Sequence, residues 1–463
     1  MNSSGFPKQR AAVFRARTRL LTFLAPVLLC AGALSCCGAG VLGMQIESVT
    51  FEHGTNAVLT TGARFVFDDA QGAICCYQRL PTWRPVATIT GLGLRGLRVL
   101  SHDDWQCVLG DSSGRPRLTV GGDSLLILSL TNGAEVGFRG SYVPAYHGKQ
   151  GNNLFLQDAT GGVAAYLVGK GTCSTPASWA PDSDARLFFS VFPPRPYDRE
   201  HARQTMLHSF SWKHPYPTDA ELKDWRRFGS ILTLHSWIWQ GTTGQTMEKD
   251  NSWGTTAFVP RDALELQRVL GTAHRLGIEV VPYMSPYYFG DAAGGVGHSK
   301  IEPYLDKVKA IVERYHFDGV YLDGLYKDDV EGSYDLVRRV RELIGDTGIL
   351  HIHTTGIPLE VPCPFIDTYA TYTLTGEHHR VLTGDYARWL VSKYNLGNCV
   401  GTFCYDSTRP SAEVIERLLA ANARMPYWVS DGTWSGLNYY LSAPEKQLLE
   451  QLYFPKLNAT QQP

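Results

Sequence analysis

The sequence lacks an excess of charge of either sign. Its 463 residues include 43 Lys and Arg against 44 Asp and Glu, and the formal net charge is −1. Without a strong net field, the folded chain has no general attraction to nucleic acid or to an anionic membrane surface. We therefore expect no nucleic acid partner, and contact with a membrane only through an N-terminal anchor.

Cysteine motifs are also scarce. Ten Cys are present, but no C-x-x-C pair occurs, and Cys30, Cys36 and Cys37 lie near the N-terminus. Seven cysteines remain, an odd number, so a complete disulfide framework is not indicated. The absence of C-x-x-C pairs gives no indication of a zinc ribbon. An oxidising compartment would permit a bridge or two. Nothing in the sequence indicates a cofactor, and our preferred interpretation involves no metal.

Only the N-terminal segment is apolar enough, over a sufficient length, to cross a membrane. A basic stretch that includes Lys8 and Arg10 precedes an apolar run over residues 20–44, which contains clusters of small residues. This order is typical of a secretory signal, and the run is also long enough for a membrane anchor. We predict that residues 1–44 form a signal peptide or an N-terminal anchor. The protein is then exported: secreted, periplasmic or anchored at the cell surface.

Residues 45–181 contain short apolar runs separated by Gly, Asn and Asp, for example at 63–67 and 125–130. No long stretch shows the 3.6-residue period of an amphipathic helix, so the pattern predicts an antiparallel β-sandwich domain. Residues 173–184, rich in Ser, Pro and Asp, are predicted to be a linker.

Residues 185–455 alternate between apolar strands and amphipathic helices. Most of the strands are apolar almost throughout, as expected of strands that are buried on both faces. No Gly-rich phosphate loop follows the first strand, so eight strands favour a (β/α)8 TIM barrel over a doubly wound sheet. The fold class is thus α/β, with a missing or vestigial fifth helix in a Pro-rich connection. The predicted strands are 187–191, 231–239, 278–283, 319–325, 349–353, 366–374, 399–405 and 425–429.

Two carboxylates stand at the ends of predicted strands, where such barrels place their catalytic groups. Asp323 ends strand four, and Gly324 after it allows a sharp turn; Glu377 follows strand six. Cleavage of a glycosidic bond needs one carboxyl group to protonate the leaving oxygen and another to stabilise or capture the cationic centre, or to activate water. We predict the second role for Asp323 and the proton donor role for Glu377, with Asp406 and Asp431 as its rivals. Alternatively, Asp323 caps a helix and Glu377 is a solvated loop residue.

Aromatic and polar residues cluster at the same strand ends. Flat rings pack against the C–H faces of sugars. Each ring taken alone, however, could equally well be part of the hydrophobic core. The residues predicted to bind substrate are Trp237, Trp239, Tyr283, Tyr287, Tyr326, His353, Asp406, Asp431 and Trp434.

A metal site is the main alternative chemistry. His351 and His353 lie two apart on one strand and so point the same way. His-x-His occurs in metal-dependent amidohydrolases, and His235, His378 and Asp431 are possible additional ligands. In those enzymes, however, the paired histidines belong to the first strand, whereas here they are on the fifth.

The segment Val320-Tyr-Leu-Asp323-Gly, together with the layout of residues 45–450, resembles the retaining α-galactosidase and α-glucosidase superfamily of barrel glycoside hydrolases. The resemblance implies a β-sandwich before the barrel, Asp323 as nucleophile and Glu377 as acid/base. The acid/base of the closest families is usually Asp; barrels of the endo-α-N-acetylgalactosaminidase type use an Asp/Glu pair, which is more similar. We therefore expect a retaining glycoside hydrolase acting on an oligosaccharide or glycoconjugate. A metal-dependent hydrolase and a non-catalytic glycan-binding barrel remain as alternatives.

Overall fold

A computed structural model describes the chain from residue 41 to residue 460 with internal gaps. The gaps are 53–54, 80–81, 132–133, 135, 140–152, 159–160, 169–170, 176–177, 182–183, 212–213, 242–256, 290–296, 326–329, 355–362, 378, 394–398, 406–407 and 430–442. The predicted leader therefore lies almost wholly outside the described residues. Within them, no helix combines the length and the apolar character needed to cross a membrane.

The first part of the described chain consists of antiparallel strands. They form an eight-stranded sheet in the order β1-β2-β3-β4-β5-β10-β14-β13 and a seven-stranded sheet in the order β11-β12-β15-β9-β8-β7-β6. The strands are β1 (Ile46–Glu52), β2 (Thr55–Thr60), β3 (Ala63–Asp68), β4 (Ala73–Gln78), β5 (Arg84–Thr90), β6 (Arg98–His102), β7 (Gln106–Gly110), β8 (Pro116–Gly121), β9 (Leu125–Leu130), β10 (Val136–Arg139), β11 (Asn153–Asp158), β12 (Gly161–Val168), β13 (Gly171–Thr175), β14 (Ser178–Pro181) and β15 (Ala185–Phe192).

Alternating side chains from both antiparallel sheets meet in one apolar core. In β3, Phe65 and Phe67 are buried while Arg64 is exposed, the period of two expected of a strand with one face covered. Across the core, the rings of Phe138 and Phe189 stack with centroids 5.8 Å apart. The predicted antiparallel character of this region is confirmed.

The prediction for residues 187–191 as the first parallel strand is wrong. They lie in β15, which pairs antiparallel with β9 and β12. Leu187 and Phe189 face the antiparallel core, whereas Phe188 packs against Tyr334 and Phe365 on the other side of the sheet. Because both faces of β15 are covered, its sequence is apolar throughout, like that of a parallel strand. The predicted linker likewise contains β13 and β14.

Parallel strands make up the second part of the chain. Two four-stranded sheets have the orders β18-β17-β16-β23 and β19-β20-β21-β22. The true first strand is β16, which the sequence analysis missed because its four residues include His208 and form no long apolar run. The strands are β16 (Met206–Ser209), β17 (Ile231–Leu234), β18 (Glu279–Pro282), β19 (Gly319–Asp323), β20 (Ile349–His353), β21 (Tyr372–Thr375), β22 (Val400–Phe403) and β23 (Tyr427–Val429).

The two parallel sheets are hydrogen-bonded to each other at both edges. Past the end of β18, the backbone nitrogen of Met284 donates to the oxygen of Tyr321 in β19 at 2.8 Å. Just before β23, the oxygen of Arg424 accepts from the nitrogen of Phe403 in β22 at 2.9 Å. Mixed α/β architecture, with antiparallel sheets first and parallel sheets later, is therefore confirmed.

Helices separate the parallel strands. Thr218 and Glu221 form a capping box at the start of α1, and Gly277 and Gly345 adopt φ of +70° and +73° just after α2 and α4. The fifth helix, predicted to be missing or vestigial, is a single turn. The helices are α1 (Asp219–Trp225), α2 (Ala263–Arg275), α3 (Gly297–Tyr315), α4 (Val330–Ile344), α5 (Pro364–Asp367), α6 (Gly384–Tyr386), α7 (Ala412–Ala420), α8 (Ala443–Leu448) and α9 (Phe454–Thr460), with π-helical turns at Ala387–Val391 and Leu449–Tyr453.

A buried arginine fixes the amino-terminal ends of β20 and β21. Arg341, 1 % exposed, donates to the backbone oxygens of Tyr369, Gly345 and Gly348 and to the hydroxyl of Thr371 at 2.5–2.9 Å. These groups lie just before the two strands. The guanidinium therefore satisfies several loop carbonyls at once and holds this end of the sheet rigid.

A buried carboxylate joins the antiparallel and parallel regions. Oδ2 of Asp123, at the start of β9, accepts hydrogen bonds from the hydroxyls of Tyr334 at 2.8 Å and Tyr369 at 2.6 Å. Asp123 is 0 % exposed, and its Oδ1 accepts from the backbone nitrogen of Leu125 at 3.2 Å. The two regions therefore share a polar contact inside an otherwise apolar interface.

Six cysteines in the described part of the chain are not bridged. The free thiols are Cys75, Cys76, Cys107, Cys363, Cys399 and Cys404.

Replacing Asp123 with Leu should lower the free energy of unfolding by about 2–4 kcal/mol, because two buried tyrosine hydroxyls lose their acceptor. Denaturant unfolding of the full chain would measure the loss. The matched control is Asp224→Leu, since Asp224 makes only an exposed ion pair with Arg227 and should cost less than about 1 kcal/mol. Equal losses in the two variants would contradict a special role for Asp123.

Candidate active site

Three ionisable side chains meet at the carboxyl ends of β19, β20 and β21. Asp323 Oδ1 lies 2.9 Å from His353 Nδ1, and Glu377 Oε2 lies 3.9 Å from His353 Nε2. The side chains of His353 and Asp323 are 6 % and 9 % exposed, whereas that of Glu377 is 21 % exposed. The two carboxylates singled out in the sequence thus approach opposite nitrogens of one imidazole.

The position of Asp323 follows from its strand and from the glycine after it. β19 is buried at every residue, so Asp323 ends a fully covered strand. Gly324 adopts φ +84°, and a Cβ there would lie 2.5 Å from Cβ of Tyr287. A glycine is therefore needed both for the turn, as predicted, and for the close approach of Tyr287.

Glu377 is positioned by a second glycine of the same kind. Gly376, just after β21, has φ +107°, and a Cβ at this position would meet the ring of Phe403 at 2.5 Å. The chain can turn sharply at the end of β21 only because this residue lacks a side chain. Each of the two carboxylates is thus adjacent to a glycine in a conformation that L-residues rarely adopt.

Tyrosines surround the carboxylates. The hydroxyl of Tyr321 lies 3.0 Å from His353 Nδ1. Burial, and secondly the Asp323 carboxylate, raise the pKa of Tyr321 and of Tyr283 well above the ordinary value. Tyr288, 36 % exposed, also has a raised pKa because of burial, Asp323, Tyr287 and Glu377. These hydroxyls stay protonated at neutral pH and can donate hydrogen bonds to the carboxylates or to a bound polar ligand.

A layer of buried histidines lies among the parallel strands beneath the carboxylates. His208 stacks on Trp428 with centroids 4.3 Å apart, and His351 stacks on Tyr321 at 4.3 Å. His235 lies 5.4 Å from His208, ring to ring. Buried parallel strands are more often rich in Val, Ile and Leu, so a layer of imidazoles among them is unusual.

These histidines are held neutral by their surroundings. Burial, and secondly the neighbouring His353, lower the pKa of His208 to about 3. Burial also lowers the pKa of His235 and of His351 well below the ordinary value, with smaller contributions from the other histidines. Within the described part of the chain, neither ring nitrogen of His208 has a hydrogen-bond partner. Among the described residues, Asp323 and Glu377 are therefore the acidic groups available for chemistry at this end of the sheet.

Two of the predicted sugar platforms are buried elsewhere. Trp237 is 2 % exposed and packs edge-on against Phe210. Trp239 is 0 % exposed, and its ring nitrogen donates to the backbone oxygen of Tyr283 at 2.6 Å. The reason is that β17 ends at Leu234 and a 3₁₀ turn follows, which directs both indoles into the core. Their role in substrate binding stays a prediction.

The remaining predicted residues divide into two groups. Tyr283, Tyr287 and His353 lie close to Asp323, as their places at neighbouring strand ends suggested. The rest lie outside the described residues, as does His378, and their roles stay predictions. This second group comprises Tyr326, Asp406, Asp431 and Trp434.

Tyr321, Tyr288 and His208 were not predicted as residues of the site. Tyr321 could have been found, because it lies two residues before Asp323 and so points to the same side of β19. Tyr288 directly follows Tyr287, which was predicted to bind substrate. The sequence does not show which of two adjacent rings lies near the carboxylates. His208 was missed together with its strand.

A metal centre finds no support among the described residues. No group of three or more His, Cys, Asp or Glu side chains in this part of the chain is arranged to hold a metal ion. His353 Nδ1 lies 3.0 Å from the hydroxyl of Tyr321, and His351 Nδ1 lies 3.5 Å from the hydroxyl of Thr233. Two further candidate ligands of the predicted metal site, His378 and Asp431, fall in the undescribed segments.

Comparisons with known proteins give only remote similarities. No family model and no curated protein sequence matches the chain. Among solved structures, a maltogenic α-amylase from Thermotoga neapolitana is 11 % identical, with a TM-score of 0.38 over 57 % of this chain and 77 % of that chain. A GH31 dextranase from Flavobacterium johnsoniae is 6 % identical, with a TM-score of 0.36 over 91 % and 70 %. An uncharacterized protein from Listeria monocytogenes is 10 % identical, with a TM-score of 0.40 over 90 % and 54 %. No residue role is transferred from similarities at this level.

Replacing Gly376 with Ala should destabilise the protein by about 1–3 kcal/mol, because the new methyl group meets Phe403 and the backbone is strained at positive φ. Denaturant unfolding would measure the effect. Gly384→Ala is the control, since a methyl group at Gly384 would meet no other part of the chain within 4 Å and should be neutral or slightly stabilising. A neutral Gly376→Ala variant would contradict the close packing beside Glu377.

The free energy of unfolding should fall as the pH is lowered from about 6.5 toward 3. A buried histidine whose pKa is depressed in the folded state takes up its proton more readily after unfolding, so its stabilising contribution is complete above about pH 6.5 and is lost below it. His208→Phe should reduce the slope by up to about 1.4 kcal/mol per pH unit with little change at pH 7. Urea unfolding between pH 4.5 and 7.5 tests this, with exposed His102→Phe as control. An unchanged slope in His208→Phe would be inconsistent with a neutral buried His208.

Proposed function

We propose that this protein is a retaining glycoside hydrolase in which Asp323 is the nucleophile and Glu377 the general acid/base. The observation that carries the proposal is the approach of both carboxylates to one imidazole, at 2.9 Å and 3.9 Å. Asp323 and Glu377 stand at the ends of the strands on either side of β20, and a pair of carboxyl groups is what glycosidic cleavage requires.

The different environments of the two groups support their different roles. Asp323 is the more deeply buried and is fixed by the end of β19, as suits a nucleophile that must keep one geometry. Glu377 is more exposed and follows a turn at Gly376. A proton donor must reach the leaving oxygen and exchange its proton with solvent between the two steps.

In the proposed reaction, Asp323 attacks the anomeric carbon while Glu377 transfers its proton to the departing glycosidic oxygen. The resulting glycosyl ester on Asp323 is then hydrolysed by a water molecule, whose proton passes to Glu377. Tyr321, Tyr283 and Tyr288 supply protonated hydroxyls around the reacting groups. The anomeric configuration is retained because each of the two displacements inverts it.

The architecture we propose is a closed (β/α)8 barrel preceded by a β-sandwich. Hydrogen bonds between the two parallel sheets at both of their edges support closure. A barrel would place the ends of β19, β20 and β21 on its catalytic face. The basic, apolar and small-residue order of the leader supports export, so the proposed substrate is an oligosaccharide or glycoconjugate outside the cytoplasm.

The test is hydrolysis of a panel of α- and β-aryl glycosides and natural oligosaccharides by the full chain and its variants. Asp323→Asn and Glu377→Gln should each lower kcat/KM at least about a hundredfold, since each removes a group used in the transition state. Exposed carboxylates on α3 provide matched controls: Asp306→Asn and Glu313→Gln should keep the wild-type rate. Circular dichroism of all four variants would check that they are folded.

The other outcomes separate the alternatives. Cleavage that Asp323→Asn leaves intact would refute the assigned nucleophile. Loss of activity with a chelator, together with stoichiometric zinc in the purified protein, would indicate the metal-dependent hydrolase. Oligosaccharide binding without cleavage of any substrate would indicate a non-catalytic barrel.

A further inference from the structure

The imidazole of His353 separates the two carboxylates, and each of its nitrogens faces a different one. Nδ1 lies 2.9 Å from Asp323 Oδ1, and Nε2 lies 3.9 Å from Glu377 Oε2. His353 is the least exposed of the three side chains. The ring therefore lies below the site, where it can influence both groups without occupying the space of a substrate.

The negative charge of Asp323 favours a proton on the nearer nitrogen of the ring. Oδ1 of Asp323 is buried and has no hydrogen-bond donor in line among the described residues, so the contact at 2.9 Å is electrostatic and not a directed hydrogen bond. A carboxylate oxygen at this distance repels a lone pair on Nδ1 and attracts an N–H there. An imidazole is ordinarily a stronger base than a carboxylate, so the proton lies on the nitrogen. The hydroxyl of Tyr321, 3.0 Å from the same nitrogen, can accept a hydrogen bond as well as donate one and so tolerates this proton.

The protonation of Nδ1 determines what Nε2 offers to Glu377. In a neutral ring with a proton on Nδ1, Nε2 carries a lone pair and accepts hydrogen bonds. Burial disfavours the alternative of a charged imidazolium, and the neighbouring His208, His235 and His351 are themselves held neutral. The lone pair of Nε2 would therefore favour a proton on Glu377.

We propose that His353 is a positioning residue that holds the two carboxylates in opposite protonation states. Neutral and protonated on Nδ1, it stabilises ionised Asp323 and accepts the acid proton of Glu377 at Nε2. This inference deepens the proposed function and rests on it, because a retaining glycosidase needs an ionised nucleophile and a protonated acid at the same time. The separation of 3.9 Å is longer than a hydrogen bond, so the proposal requires Glu377 and Nε2 to approach each other when substrate binds.

Other titratable groups face this imidazole from the surrounding strands. Each is either neutral over the working range or one of the two carboxylates, so changes at His353 should register in the titration of those carboxylates. The groups are Asp323 and Tyr321 from β19, His351 from β20, Glu377 after β21, His208 from β16 and His235 after β17.

Two substitutions separate the two contacts. The side-chain amide of Asn imitates Nδ1, so His353→Asn keeps a donor toward Asp323 but loses the acceptor toward Glu377. The amide of Gln imitates Nε2, so His353→Gln keeps a group near Glu377 but loses the donor toward Asp323. The two variants therefore test the contact with Glu377 and the contact with Asp323 separately.

The readout is the dependence of kcat/KM on pH, whose acidic limb reports the nucleophile and whose alkaline limb reports the acid. Loss of the acceptor makes Glu377 a stronger acid, so His353→Asn should move the alkaline limb down by about one pH unit. Loss of the donor makes Asp323 harder to ionise, so His353→Gln should move the acidic limb up by about one pH unit. A purely structural role would lower the rate without moving the limbs in opposite directions.

The protonation of the ring can be measured without any substrate. Nitrogen-15 NMR of histidine-labelled wild-type protein at pH 7 distinguishes the two neutral tautomers and the imidazolium, and the signal missing from His353→Asn identifies the residue. A neutral ring protonated on Nδ1 supports the proposal. A ring protonated on Nε2 alone, or on both nitrogens, overturns it.

The two measurements keep this inference distinct from the proposed function. Cleavage by the wild type with unmoved limbs in both variants overturns the role of His353 and leaves the glycosidase intact. If the wild type cleaves nothing, the glycosidase proposal fails, and the NMR spectrum still decides the protonation assigned to His353.

Discussion

The parallel pairing of β19 with β20 is the constraint on which the site depends. In this register Asp323 lies opposite His353, and His353 lies opposite Leu374 of β21. Successive residues of a strand point to opposite faces, so a slip of one residue would turn Asp323 or His353 away from the other. The contact at 2.9 Å therefore exists only in this one register.

Groups at the opposite end of the strands maintain that register. Arg341 bonds to the loops that precede β20 and β21, and Asp123 anchors Tyr369, close to the same loop, to the antiparallel region. Both residues are almost completely buried, so their hydrogen bonds compete little with water. These hydrogen bonds at one end of the strands therefore help to keep the carboxylates in place at the other end.

The interior of the parallel region contains buried polar side chains, which lower the stability of the folded chain. Imidazoles and tyrosines occupy positions where aliphatic side chains would pack without polar cost, and both nitrogens of His208 lack partners in the described part of the chain. Two glycines at positive φ flank the carboxylates. Departures from local sequence preference are concentrated where the chemistry is proposed, as is common at functional sites.

The placement of Asp323 and Glu377 at strand ends was predicted from the sequence. Asp323 and Glu377 were identified because an ionisable group after a buried strand has few structural reasons to be there. The first parallel strand was misassigned, since β15 is covered on both faces and β16 is too short to leave an apolar run. The burial of Trp237 and Trp239 was not foreseen, because the turn at Ser236–Ile238 is not visible in a run of apolar residues. The link between Asp323, His353 and Glu377 required the register, which sequence pattern alone does not fix.

The central claim is that Asp323 forms a covalent bond to the sugar. The most direct test is to treat the full chain with a fluorinated analogue of the glycoside that it cleaves fastest, and to identify the labelled peptide by mass spectrometry. The account predicts one sugar attached through an ester to Asp323, and no labelling of Asp323→Asn. A label on another carboxylate, or cleavage with inversion and no labelled intermediate, would contradict it.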